Sequence, residues 1–247
     1  MKLVFASNNA HKLEEVRKIM PAGVEVLSLS EIGFHDEIEE TGSTLEENSR
    51  IKAETVWDYV RSNDVRCTKV IDGVFADDTG LEIDALGGEP GVYTARWYLA
   101  FDNRCAKVDT APLNRQATDV SALPTNIKFA GTAPLTEEEI FHANRAKALR
   151  ELEGKDNRDC QFRTVITLLM NGDAPLNGGM MQVEGIVRGR IAEQEFGEGG
   201  FGYDPVFIPE GYDKTFGELP AEVKNEISHR ARALQKLVTA LDIKDER

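Results

Sequence analysis

The sequence predicts an α/β fold. Three observations carry that expectation. Apolar runs of strand length alternate with stretches of helical spacing along the whole chain. Helix-start signals fall between those runs, and strands are not segregated from helices in either half. No internal repeat suggests a solenoid or propeller.

Taken in order, Lys2 to Ala6 is a short apolar run. From Leu13 the apolar positions switch to helical spacing at Leu13, Val16, Ile19 and Met20. The opening is therefore strand, polar loop, helix. Val24 to Leu29 reads as a second strand. Thr44 opens a helix with Glu47 at the capping-box spacing, and Ala53, Val56, Trp57 and Val60 form its buried stripe. Val74 to Ala76 and Leu81 to Ile83 read as short apolar pieces flanking an acidic turn, Asp77, Asp78, Thr79 and Gly80. Thr136 with Glu139 repeats the capping box, and Ile140, Ala143, Leu149 and Leu152 continue a helix that Gly154 closes. Phe162 to Met170 and Met180 to Val187 read as paired strands around the turn Asn171 to Gly179. Ile227, Ala231, Leu234, Val238 and Leu241 give a last helical stripe. From about Asp102 to Pro134 no period is sustained, which predicts an irregular insertion or lid at about 100–135 inside a single domain spanning 1–247.

Composition limits the function classes. The chain has 247 residues, 41% hydrophobic, with a net charge of −14 from 29 Lys and Arg against 43 Asp and Glu. That balance argues against coating a nucleic acid polymer or an anionic membrane, while leaving room for a small anion where cations gather. Cys67, Cys105 and Cys160 are widely spaced and show no metal or disulfide pattern. The apolar run at the N-terminus is too short for a secretory segment, and no stretch approaches bilayer length. A cytoplasmic protein is expected.

Four segments, and more weakly a fifth, could carry chemistry. Ser7, Asn8, Asn9, Ala10, His11 and Lys12 sit where a strand meets a helix. There free N–H groups, the helix dipole and Lys12 would favour phosphate, although capping alone also explains them. The Asp77–Asp78 pair puts one carboxylate on each side of the chain, suited to Mg²⁺ or to orienting a water; an exposed acidic turn is the plainer reading. The acidic run Asp36 to Glu40, followed by Thr41 and Gly42, reads more plainly still as a solvated face. Gly197 to Phe207 combines four glycines with Phe201 and Tyr203, rings on which a planar base could stack, although a glycine-rich turn leading into a strand explains it equally simply. Lys224 to Arg230 gathers cations and His229, which can donate to a keto oxygen and accepts only if neutral; Lys224 and Ser228 would share one helical face, and a solvated helix terminus is the plainer reading.

The order of these segments resembles the inosine triphosphate pyrophosphatase family, the non-canonical purine NTP pyrophosphatases or XTP/dITP diphosphatases. The likeness rests on LVFASNNAHKLEE, EETGSTLEENSRIKA, FADDTGLEIDALGGEPGVYTARW, GGFGYDPVF and ISHRARAL. It implies an elongated two-lobed α/β fold around a long mixed sheet, with the active site in the cleft. It further implies Mg²⁺-dependent hydrolysis of ITP, dITP and XTP to the monophosphate and pyrophosphate, and a homodimer. By the same resemblance, Ser7, Asn9 and Lys12 grip the triphosphate, and Asp78 is catalytic. Glu40 and Asp78 are metal-associated, and Thr79 stands where serine is common. Phe201, Gly202, Tyr203 and Asp204 line the nucleoside pocket, while Lys224, His229 and Arg230 contact phosphate or base. A pyrophosphatase for modified pyrimidines or other nucleotides, and a nucleotide sensor without turnover, are the competing readings. The stretch of about 30 residues after Trp97 departs from the family pattern.

Overall fold

A computed structural model describes residues 1–62, 71–99, 136–170, 179–197 and 201–241. Its centre is β1 (Lys2–Phe5), whose residues Leu3 to Phe5 are all buried, as a strand covered on both faces requires. β1 pairs in parallel with β2 (Glu25–Leu27) and β3 (Gly73–Ile83). β3 then pairs antiparallel with β5 (Asp159–Met170), β5 with β6 (Met180–Ile191), and β6 with β7 (Phe207–Pro209). The short β4 (Pro90–Gly91) adds to β3 off this path, making a seven-stranded mixed sheet.

Alternation along the strands sorts the core into faces. Val4, Ala6, Val74 and Ala76 meet Ala53, Val56, Trp57 and Val60 of α2 (Leu45–Ser62). Leu3, Phe5, Phe75 and Leu168 face the other way, toward α1 (Ala10–Ile19) and α5 (His229–Ala240). Past Gly80 the same strands enter a second core, where Leu81, Ile83, Phe162 and Val187 pack with Trp97, Leu152, Phe207 and Phe216. α3 (Glu137–Glu151) and α4 (Ala221–Ile227) complete the helices. The long strands thus pass between two lobes, and Asp77 to Gly80 lie at the joint.

The structure corrects four local expectations. β3 runs unbroken through Asp77 and Asp78, which pair with Ile166 and Val165, so the acidic turn does not exist. Carboxylates are poor strand residues by propensity, and only cations brought by distant elements make them tolerable there. The second strand is shorter than Val24 to Leu29. At the start of α2, Thr44 Oγ1 accepts the Glu47 N–H, but the Glu47 carboxylate accepts from Ser43 N–H and Oγ instead of closing the box. The C-terminal stripe belongs to two helices, because Ser228 leaves helical geometry (ψ 155°) and caps α5 by accepting the Ala231 N–H. The capping box at Thr136 forms in full. The segment expected to be irregular, 100–135, lies outside the described residues, as does most of the turn between β5 and β6. Among the described residues no helix is long and apolar enough to cross a membrane.

Gly185 shows how tightly α5 seats on the sheet. A Cβ there would lie 2.0 Å from the His229 carbonyl oxygen and 2.3 Å from the Ala233 nitrogen, both backbone atoms that cannot step aside singly. Gly185→Ala is expected to destabilise the fold by about 3 kcal/mol through overpacking. The check is a lower urea midpoint with an unchanged slope; an unaltered midpoint would show that α5 is free to lift.

Candidate active site

Strand alternation sends Asp77 and Asp78 to opposite faces of β3, and each meets its own cations. Asp77 is 2% exposed. Its Oδ1 accepts from Lys12 Nζ at 3.0 Å and its Oδ2 from Arg230 Nε at 3.0 Å. Burial alone would raise its pKa, but Lys12 and Arg230 outweigh it and hold Asp77 well below the usual carboxylate range. Asp78 Oδ1 accepts from Lys52 Nζ at 2.8 Å, and the same ammonium reaches Glu40 Oε1 at 3.0 Å. Here burial dominates: against the pull of Lys52, and with the negative charge of Glu40 beside it, the Asp78 pKa is raised. The two neighbouring carboxylates are therefore shifted in opposite directions, Asp77 down by its cations and Asp78 up by burial.

A cavity of about 1070 Å³ opens at the joint between the lobes. Ser7, Asn8, Asn9, His11 and Lys12 line it from the mouth of α1, Glu40 from the loop before α2, Lys52 from α2, and Asp78 and Thr79 from the sheet. Phe201, Gly202, Tyr203, Asp204, Lys224, His229 and Arg230 line it from the other side. The sequence-predicted residues thus converge from segments more than 200 positions apart, Ala10 excepted; it is exposed at the start of α1 and is not part of the lining. Capping and lining coexist at α1, where Asn9 Oδ1 accepts the Lys12 N–H at 3.0 Å and Ser7 Oγ accepts the Asn9 N–H at 3.2 Å.

The cations expected to be free for phosphate are paired. Lys12 binds Asp77, and burial together with the adjacent Arg230 lowers its pKa despite that partner. Arg230 also pairs with Glu15, and Lys224 donates to Asp204 Oδ2 at 2.6 Å. The stacking expectation narrows to one ring. Phe201 stands edge-on to Phe141 at 4.5 Å and near His11 at 5.8 Å. Tyr203 belongs to the core, 4% exposed, with its hydroxyl donating to the Thr94 carbonyl oxygen. His229 stacks on Phe162 at 5.0 Å, and its Nδ1 shares a hydrogen bond with Thr164. Burial, with Arg230 and Lys224 beside it, pushes its pKa well down, so the ring is neutral.

Against this geometry the comparisons are decisive for family. The profile of the Ham1 family matches residues 3–124 and 124–240. The chain belongs to the Ham1 family. It is 40% identical to a dITP/XTP pyrophosphatase of Flavobacterium johnsoniae over 98% of each chain. A dITP/XTP pyrophosphatase of Bacillus subtilis is likewise 40% identical, across 97% of this chain and 96% of the relative. The solved Ham1 protein of Staphylococcus aureus superposes with a TM-score of 0.70 at 31% identity, covering 98% of both chains.

Among the cavity residues of this Ham1 chain that a reading of the sequence alone misses are Lys52, Glu15 and Phe141, and the signal for one was present. Lys52 sits at helical spacing with Asn48, Ser49 and Ala53, so polar side chains occupy the buried stripe of α2, which a purely structural helix avoids. Glu15 and Phe141 carry no local signal. Arg145, just outside the lining, donates to the Gly202 carbonyl oxygen at 2.9 Å and pairs with Glu195, clasping both ends of the glycine-rich loop.

The donor set suits Mg²⁺. Glu40 and Asp78 converge on one point, the Lys52 ammonium, and Asp78 Oδ2 is buried with no hydrogen-bond partner. Among the described residues no cluster of three or more His, Cys, Asp or Glu forms a complete cage. Mg²⁺ needs only one or two carboxylates when phosphates and waters complete its shell.

The neutral state of His229 has a pH consequence. Its folded pKa lies below its unfolded value near 6.5, so its stabilising contribution is full above about pH 6.5 and is lost as pH falls toward the folded pKa. Compared with a His229→Gln variant, the natural chain is expected to lose up to about 1.4 kcal/mol of stability per pH unit below that point. Urea unfolding at a series of pH values checks this, and parallel curves would refute it.

Proposed function

We propose that this chain is a pyrophosphatase of non-canonical purine nucleoside triphosphates, cleaving ITP, dITP or XTP to the monophosphate and pyrophosphate. The observation that carries the reading is the unpartnered, buried Asp78 Oδ2 beside the Glu40–Lys52 pair in the cavity. A water oxygen bonds to the α-phosphorus while the bond from that phosphorus to the α,β-bridging oxygen breaks. The water's proton passes to Asp78 Oδ2, and pyrophosphate leaves with the bridging oxygen.

Other residues position and neutralise. The α1 N-terminus with Ser7, Asn9 and Lys12 faces the departing pyrophosphate, and Lys224 adds charge there. Each ammonium has three N–H donors, so Lys12 and Lys224 can take phosphate oxygens while keeping Asp77 and Asp204, and binding leaves no buried carboxylate unpaired. Phe201 stacks on the base, while neutral His229 and Arg230 donate toward a keto oxygen. Mg²⁺ held by Glu40 and Asp78 would supply electrostatic stabilisation of charge on the phosphate oxygens. The homodimer and the cytoplasmic location implied by the resemblance belong to the same reading.

The test is pyrophosphate release from ITP, XTP, dITP, ATP and GTP, with and without Mg²⁺. Turnover is expected for the first three and only with the metal. Asp78→Asn is expected to lower kcat by about three orders of magnitude with circular dichroism unchanged. Near-natural release by that variant would remove Asp78 from its role, and ITP binding without release by the natural chain would favour a sensor.

A further inference from the structure

One row of residues crosses the sheet beside the catalytic carboxylate. In register, Thr79 of β3 faces Thr164 of β5, and Thr164 faces Gly185 of β6. Residues directly opposite share a sheet face. Because Gly185 has no side chain, the first turn of α5 descends onto this row, with the His229 carbonyl oxygen where a Cβ would stand. The imidazole then lands on Phe162, with ring centroids 5.0 Å apart. Its Nδ1 lies 2.5 Å from Thr164 Oγ1, which lies 2.8 Å from Thr79 Oγ1. Thr79, Phe162 and His229 all line the cavity.

Such a chain has only two proton orders, because each hydroxyl donates one proton and a neutral imidazole carries one. With Thr79 donating to Thr164 and Thr164 donating to Nδ1, the ring proton sits on Nε2. In the reverse order it sits on Nδ1, and Nε2 is an acceptor. The two orders present opposite faces to a purine: Nε2–H matches a 6-keto oxygen, whereas a bare Nε2 matches a 6-amino group. A donor set against an amino group leaves both N–H groups without a partner, which is how a polar site rejects the wrong base.

Resting on the proposed function, we propose that Thr164, oriented by Thr79, is a positioning residue that locks His229 as its Nε2–H tautomer and so sets the preference for keto over amino purines. Thr164 does not itself touch the base. The relay also links base choice to the residue next to Asp78, through a hydroxyl that either Thr or Ser supplies at position 79.

The experiment combines nitrogen-15 NMR of labelled histidines with kcat/KM for ITP and ATP, in the full chain with Mg²⁺, for the natural protein, Thr164→Val and Thr164→Ser. The expected result is a protonated Nε2 on His229 in the natural protein. In Thr164→Val that signature is lost and the ITP-to-ATP ratio of kcat/KM falls about tenfold, the scale of one hydrogen bond. Thr164→Ser restores both, and Thr164→Ala replaces the Val variant if the latter does not fold. A natural protein with the proton on Nδ1, or a folded Thr164→Val with an unchanged ratio, would overturn the proposal. If the natural chain releases pyrophosphate from no triphosphate, the proposed activity fails and the spectrum alone decides the lock. A tautomer shift in Thr164→Val then sustains it, and an unchanged signature refutes it.

Discussion

The structure depends on a buried anion in the middle of a strand. Asp77 stands in β3 with its side chain 1% exposed, and it is tolerable only because α1 brings Lys12 and α5 brings Arg230 to its two oxygens. The anion therefore tethers an N-terminal helix and a C-terminal helix to the same strand. Those helices carry much of the cavity wall, so the charge requirement of one residue fixes where the mouth of α1 and the first turn of α5 sit. Gly185 adds the matching steric condition by leaving room for α5 to reach the sheet.

Asp78, one residue on, shows what the other face of the strand does with the same chemistry. It shares one ammonium with Glu40 and keeps an oxygen without a partner. Two carboxylates adjacent in sequence thus acquire opposed characters from their surroundings, and strand alternation produces the separation. On the proposed reading, the first organises the site and the second works in it. The joint between the lobes suits this division, because polar groups interrupt neither of the apolar cores on its two sides.

Much of the fold was legible because period and punctuation agree locally. The change of spacing at Leu13, the Thr136 capping box and the paired runs around 162–187 need no tertiary information. Where the reading failed, the deciding interaction came from far along the chain. Asp77 and Asp78 look like a turn because their compensating cations stand at positions 12, 52 and 230. The break at Ser228 is hidden because the apolar stripe keeps its phase from Ile227 to Ala231, although Ser228 is itself a good cap residue. Most candidate site residues were recognisable as types, yet their pairing was not: Lys12, Lys224 and Arg230 read as free cations, and each has a carboxylate partner. Lys52 was readable in principle as a charge on a buried stripe.

The most direct measurement is a double-mutant cycle between Asp77 and Arg230, using Asp77→Asn, Arg230→Gln and the combined variant in urea unfolding. If the buried anion ties α5 to β3, the two losses are strongly non-additive, with a coupling energy of about 1–3 kcal/mol. Additivity within about 0.5 kcal/mol would contradict the account, because it would mean that the strand and the helix hold their places without this charge pair.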